Sequence, residues 1–395
     1  MVELVCAQSL KTYTEIKSHT GVLNKLQIEI KVPRPVIKVL NVFKNVNLSL
    51  SNLILKGMVY SYFIGIDISK DTLEFCLLKE NKILLSKCSQ NTIKGIQAFI
   101  KEAKAFPGFN FMDVLFCMEH TGIYNNHLIK FLLEKKCNIW LERGAQIKYS
   151  LGVQRGKNDK IDAERIAIYA YKNRESVKLW TPPRAIIQQL RSLTSLRSRL
   201  LKCLSQLSVP LKESKNFGLG KKQIKLEETL CKTSISSLKK DLEKVNKQLH
   251  AIIVQDSELN RLFNIITSVD AIGVVTAVEI IITTNEFKGI KEAKKYACYS
   301  GVAPFEHSSG SSVRGKNRVS HMANKHIKQL LHLCALTAIQ KPGEIQEYYL
   351  RKVKEGKNKM LIINAIRNKL ILRVFSCVKD NRFYEKNLKL DLVES

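Results

Sequence analysis

Residues 63–71 read Phe63-Ile64-Gly65-Ile66-Asp67-Ile68-Ser69-Lys70-Asp71, an apolar run that ends by delivering one carboxylate. Such a run reads as a buried strand. Val114-Leu115-Phe116-Cys117-Met118-Glu119 repeats the device, and Asn158-Asp159-Lys160-Ile161-Asp162-Ala163-Glu164-Arg165 carries two acids three apart in a helical pattern. On a helix those two share a face, so Asp159 and Asp162 aim at one site while Ile161, Ile166 and Ala170 pack elsewhere. Each acid alone has an ordinary reading: Asp67 as a turn residue, Glu119 as a surface acid, Asp159 and Asp162 as a pair favoured by the helix dipole. Four acids gathered from distant positions would repel one another without cations. Hard divalent ions prefer carboxylate oxygen, and two of them about 3.5–4 Å apart serve phosphodiester chemistry by holding the attacking and leaving oxygens. The expectation is a single magnesium pocket, with two ions, formed by Asp67, Glu119, Asp159 and Asp162, of the kind that transfers nucleic-acid strands.

The charge balance points to the same substrate class. The 395 residues carry 65 Lys and Arg against 35 Asp and Glu, a formal net charge of +30. That excess attracts polyanions and makes their binding salt-dependent. It is spread along the whole chain rather than gathered beside an anchor, and no apolar run approaches the ~20 residues that a membrane span needs, so no membrane partner is expected. The 10 cysteines include no CxxC pair and no Cys/His cluster at zinc spacing. Cys76 and Cys117 lie within apolar runs, as small core residues do, and the reading is a reduced, cytoplasmic protein.

The fold class expected is α/β plus all-α. Residues 1–57 read as an N-terminal extension, with the natural start near Met58; a genuine accessory domain is the alternative. From 58 to 183, strands at Tyr62–Ile68, Thr72–Leu78 and Lys82–Ser89 precede a helix at Ile93–Ala105, a strand at Val114–Met118, a helix at Asn125–Glu134 and a strand at Asn138–Leu141. That order suits a ribonuclease-H/RuvC-like mixed sheet. Residues 184–263 form a helical coiled-coil connector, with Ile187, Leu190, Leu193, Leu196, Leu200, Leu204 and Leu207 at helical spacing and a second long pattern from Leu226 to Ile266. Residues 264–380 form a mostly helical C-terminal domain, and 381–395 a tail. Within it a turn at Ile272-Gly273 before a helix near Val274 resembles a helix-hairpin-helix unit, whose second helix can receive a phosphate on its N-terminal N–H groups. A polar loop rich in Ser, Gly and Arg follows, and then a basic amphipathic helix from about Ala323.

FIGIDISKDTLEF, CMEHTGIY, KNDKIDAERIAIYA and the later YSGVAPFEHSSGS together resemble the DEDD transposases of bridge-RNA-guided insertion sequences, from about Met58 to about Ala338. The resemblance implies a RuvC-like domain, a coiled-coil connector and a C-terminal transposase domain that recombine donor and target double-stranded DNA, with a structured bridge RNA pairing with both and a homodimer or homotetramer as the working form. It implies that Asp67, Glu119, Asp159 and Asp162 bind the metal. It further implies a serine nucleophile within His307-Ser308-Ser309-Gly310, with Ser309 favoured and Ser308 the alternative. A serine hydroxyl needs activation at neutral pH, which metals held by the other domain can supply. Candidate contacts to nucleic acid are Lys70, Arg155, Lys157, Lys160, Arg191, Arg197, Arg199, Gly273, Arg314, Lys316 and Arg318.

The chain departs from that pattern in places. Asp270-Ala271-Ile272-Gly273 stands where the family has Pro-Gly-Ile-Gly, Ala323 where glycine is usual, and Lys328 where arginine is common. Three rival readings remain: a RuvC-like structure-specific nuclease, an actin-like Mg-nucleotide kinase, and a non-catalytic nucleic-acid-binding protein. The kinase shares the Gly-Ile-Asp strand end, but the chain lacks a second glycine-rich phosphate loop.

Overall fold

The computed structural model describes residues 60–150, 152, 158–217, 220–309, 313–320 and 322–385, without the side chains of 306–309 and 313–318. Expectations for residues 1–57, for most of the 381–395 tail, and for Arg155 and Lys157 lie outside the described residues. The chain divides into two compact units, one ending at Thr181 and the other beginning at Pro182.

In the first unit β1 (Tyr62–Ile68) is the centre of a five-stranded sheet. On one side it pairs antiparallel with β2 (Thr72–Lys79), which pairs with β3 (Lys82–Gln90). On the other it runs parallel to β4 (Val114–Glu119), which runs parallel to β5 (Asn138–Glu142). Each strand begins where the apolar runs placed it and ends within one residue of the expected bound, giving the mixed sheet that was expected, while the order β3-β2-β1-β4-β5 and the pairing directions are new in the structure. A two-residue turn closes the β2–β3 hairpin, with Glu80 at φ 47° and Asn81 at φ 64°.

A central strand is apolar on both faces because both are covered. Tyr62, Ile64 and Ile66 pack with Phe75 and Phe116 against α1 (Ile93–Ala103) and α2 (Asn126–Glu134), through Phe99 and Leu128. The alternate residues Phe63, Cys76, Leu115 and Cys117 pack against α4 (Asp159–Lys172) through Ala163, Ile166 and Ala167. A short helix, α3 (Gly144–Ser150), precedes α4 in sequence.

Gly65 governs how closely α4 lies on the sheet. A methyl group built there would fall 2.8 Å from the Ala167 Cα, and closer still to the Ala167 nitrogen and the Ala163 carbonyl. The helix backbone is what comes near, and the small residues Ala163 and Ala167 complete the fit.

The second unit begins with an antiparallel pair of long helices, α5 (Ala185–Asn216) and α6 (Lys221–Gln255). At 1.5 Å per residue they span about 48 and 52 Å. The long pattern expected from Leu226 to Ile266 is two helices, because Asp256 ends the first and caps α7 (Ser257–Ser268), accepting from the Leu259 N–H at 2.9 Å. Asp256 also takes both Nη atoms of Arg184, at 2.8 and 3.0 Å, and the same guanidinium reaches the buried Glu286. After α7 come α8 (Val274–Thr284), α9 (Ala293–Tyr299), α10 (Lys325–Gln340), α11 (Glu344–Lys354) and α12 (Lys359–Lys379) around one core.

One expectation is corrected here. The segment read as a polar loop contains a two-stranded hairpin, β6 (Pro304–Ser309) and β7 (Val313–Val319), with Ser308 opposite Arg314 and Ser309 opposite Val313. Polar composition hid it, since backbone pairing needs no apolar side chains.

Replacing Gly65 with alanine forces α4 away from β1. Overpacking of this kind costs about 1–3 kcal/mol, so the thermal midpoint should fall by several degrees. Gly273→Ala, whose added methyl meets nothing within 4 Å, should leave the midpoint within a degree or two of the parent.

Candidate active site

Asp67 is the sixth of the seven residues of β1 and Glu119 ends β4. Because Ile66 pairs with Met118 in parallel register, the two acids follow at matching positions on neighbouring strands, which lie about 4.8 Å apart. Hydrogen bonds fix both strand ends. Asp67 Oδ1 accepts from the Ile68 N–H at 3.1 Å. The Glu119 carbonyl accepts from Asn125 Nδ2 at 2.8 Å, and Asn125 Oδ1 receives the Thr121 N–H and hydroxyl at 2.8 and 2.7 Å. Buried Asn91 donates to the carbonyls of both Ser69 and Tyr124, at 2.9 and 3.0 Å, tying the segment after Asp67 to the segment after Glu119.

Asp159 and Asp162 occupy the first turn of α4, begun by Asn158, whose side chain accepts from the Lys160 N–H at 3.1 Å. The close seating of α4 at Gly65 brings that turn to Asp67. Burial pushes the Asp67 carboxyl above its ordinary value, and the charges of Asp159 and Asp162 push it further. Burial also raises Glu119, with added repulsion from Asp67 and Asp162. The four expected acids therefore share one field. They do not form a closed ligand shell: among the described residues no three Asp, Glu, His or Cys side chains stand at metal-holding spacing. Asp162 turns to Arg165 at 2.8 Å, and the Glu119 carboxylate rests against Gly144. As a donor set they fit a hard cation, being oxygen ligands of one sign, of which Asp162 alone is ion-paired among those described.

Sequence reasoning missed Gly144, Asn125, Asn91 and Arg165. A methyl built on Gly144 would fall 2.7 Å from the Glu119 Cδ, so this glycine leaves room for the carboxylate. No local pattern announces it, because the contact spans 25 residues. Arg165, three residues after Asp162 on a helix, was legible from spacing alone.

The remaining expected residues scatter. Lys70, Lys160, Arg191 and Arg199 are exposed. Ser69 closes the turn into β2 by bonding Thr72. Arg197 donates to Asn246 Oδ1 at 2.8 Å across the α5–α6 pair. It lines a cavity of about 850 Å³ with the α7–α8 turn, where Gly273 precedes α8. Ser308 and Ser309 end β6, and Arg314, Lys316 and Arg318 lie on β7. All of these from Arg191 onward belong to the second unit.

Comparison with known proteins adds an independent line. A model described as transposase, of the DEDD IS110 kind, matches residues 64–213, and one described as transposase of the IS116/IS110/IS902 family matches 263–350. The pilin gene-inverting proteins of Moraxella bovis and Moraxella lacunata are each 24% identical to this chain, covering 82% of it and 98% of their own length. The insertion element IS110 43.6 kDa protein of Streptomyces coelicolor is 27% identical over 39% of this chain and 38% of its own. Thermus thermophilus RuvC, alone and in complex with a Holliday junction substrate, aligns at 12% and 13% identity with a TM-score of 0.25, covering 30% and 31% of this chain and 99% and 100% of RuvC.

Two outcomes follow from the geometry. Both acids have folded-state pKa values above their unfolded ones, so the folded protein holds more protons across that window and loses stability as pH rises through it. Without added cations, Asp67→Asn should therefore raise the thermal midpoint at pH 7, and the gain should vanish below pH 4. Gly144→Ala meets only the end of a flexible side chain. It should keep the unfolding free energy within about 1 kcal/mol of the parent while displacing the Glu119 carboxylate and lowering recombination at least tenfold.

Proposed function

We propose that this chain, which belongs to the IS110-type family of DNA transposases and is a DNA recombinase, cuts and rejoins donor and target DNA at a site built from Asp67, Glu119, Asp159 and Asp162, with Ser309 as nucleophile. The observation that carries this reading is the matched ending of two parallel strands in Asp67 and Glu119, with the acidic first turn of α4 in the same field. Their mutual repulsion needs a counter-charge, and magnesium is the cation that suits these ligands. When bound, magnesium supplies charge neutralisation and polarisation at a phosphodiester. The four acids hold and orient it, and Asn91 and Asn125 keep the two strand ends in place.

In the strand-transfer step the Ser309 hydroxyl gives up its proton and its Oγ forms a bond to phosphorus. The phosphorus–oxygen bond to the departing sugar breaks, and that oxygen takes a proton. Resealing reverses the exchange on the other DNA, with Ser308 the alternative nucleophile. A structured bridge RNA that pairs with both DNAs, and a homodimer or homotetramer, complete the proposal, supported by the sequence resemblance. The regions 58–183, 184–263 and 264–380 are assigned as catalytic domain, connector and transposase domain. Exposed Lys70, Lys160, Arg191 and Arg199 suit the contact with polyanions that a net charge of +30 favours. Among the described residues no helix is long and apolar enough to cross a membrane.

Asp67→Asn should abolish recombination, by at least a thousandfold, while DNA binding stays within about threefold; recombination at the parent rate by this variant would refute the acid site. Ser309→Ala should eliminate the covalent protein–DNA adduct on denaturing gels. An adduct that persists in Ser309→Ala and disappears in Ser308→Ala moves the nucleophile to Ser308.

A further inference from the structure

Arg367, in α12, is only 6% exposed, yet among the described residues no carboxylate pairs with it. Its Nη2 lies 2.6 Å from His332 Nδ1, its Nη1 donates to Asn364 Oδ1 at 3.3 Å, and its Nε is buried with no hydrogen-bond partner. A guanidinium can only donate, so His332 Nδ1 accepts and the ring proton sits on Nε2, ready for another acceptor. Lys328 shares the space from α10. Burial and the Arg367 charge push both the Lys328 ammonium and the His332 imidazole below their ordinary values. Lys328 also has no acidic partner among the described residues, and with His332 it is half-buried, so the cluster is open at those two side chains.

Gathering basic groups in a partly buried place without an acid is costly. Hydrophobic replacement would remove the cost unless an anion completes the set with charge-assisted hydrogen bonds. The location says which anion. Asn364, the Arg367 partner, also donates to the Val302 carbonyl at 2.8 Å. Asn324, at the start of α10, donates to the Tyr299 carbonyl and hydroxyl at 2.8 and 2.9 Å. Gly301, at φ 65°, passes so near that a methyl there would sit 3.6 Å from Lys328 Cδ. The segment Tyr299–Val302, which leads into β6, is thus pinned to the two helices that hold the cluster.

We propose that Lys328, Arg367 and His332 form a receptor for one phosphodiester of the DNA substrate, seating the strand beside the base of the β6–β7 hairpin. The site rests on the chain being a DNA recombinase and is independent of the acids and of the serine. It supplies a binding residue, Lys328, and a positioning residue, Arg367, whose buried charge backs the site and whose Nη2 orients His332.

The test is a titration of the full chain with a short fluorescent DNA duplex, in EDTA, over a range of salt. Lys328→Gln should weaken binding about threefold to tenfold and flatten the slope of log affinity against log salt by about 0.9, the value of one phosphate contact. Lys328→Arg should keep both. Arg367→Met should weaken binding in the same way while its thermal midpoint holds or rises, whereas a purely structural strut would lose midpoint and keep the salt slope. If Arg367→Met does not fold, Lys328→Gln decides. Unchanged affinity and slope in Lys328→Gln overturns the proposal, and so does a loss confined to RNA binding with duplex binding intact. Because the assay needs no metal and no strand cleavage, recombination surviving in Asp67→Asn would count against the acid site and leave this result untouched.

Discussion

The approach of α4 to β1 at Gly65 is the constraint on which the first unit turns. Only a residue without a side chain lets the backbone of Ala163 and Ala167 lie directly on the strand. That seating carries the first turn of the helix, with Asp159 and Asp162, to the strand end that presents Asp67. Parallel pairing of β1 with β4 then adds Glu119 at the same level. Four acids separated by up to 95 positions come under one field through one close contact and one strand register.

That gathering costs stability. Burial and like charge raise Asp67 and Glu119 above the ordinary carboxylate range, the reverse of the usual stabilising carboxylate. In the proposed function a divalent cation would relieve that repulsion. The second unit repeats the logic with the opposite sign. Lys328, Arg367 and His332 crowd together without an acid among the described residues, and the proposed occupant there is a phosphate. Neither cluster is neutralised by its own side chains, and the proposed occupants would supply the missing charge.

Much of this was legible in the sequence because the signals were periodic or local. The apolar runs ending in Asp67 and Glu119 marked the strands along the chain, and the i,i+3 spacing of Asp159 and Asp162 marked a shared helix face. Tertiary features were not legible. Gly144 and Glu119 meet across 25 residues, Asn91 joins two distant turns, and Arg367 meets His332 across 35. The β6–β7 hairpin escaped because backbone hydrogen bonds hold it in a polar stretch, and the break at Asp256 escaped because the apolar spacing continues smoothly through it. Local capping by Asp256, reinforced by Arg184, overrides the periodicity.

The central claim is that the four acids bind a divalent cation together. A crystal structure of the full chain soaked in manganese, read by anomalous scattering, tests it most directly. The account predicts an anomalous peak between the carboxylates of Asp67 and Glu119, within about 2.0–2.5 Å of their oxygens, with an acid of the α4 first turn completing the shell. Manganese absent from that position, or bound elsewhere with these four carboxylates unmoved, would contradict it.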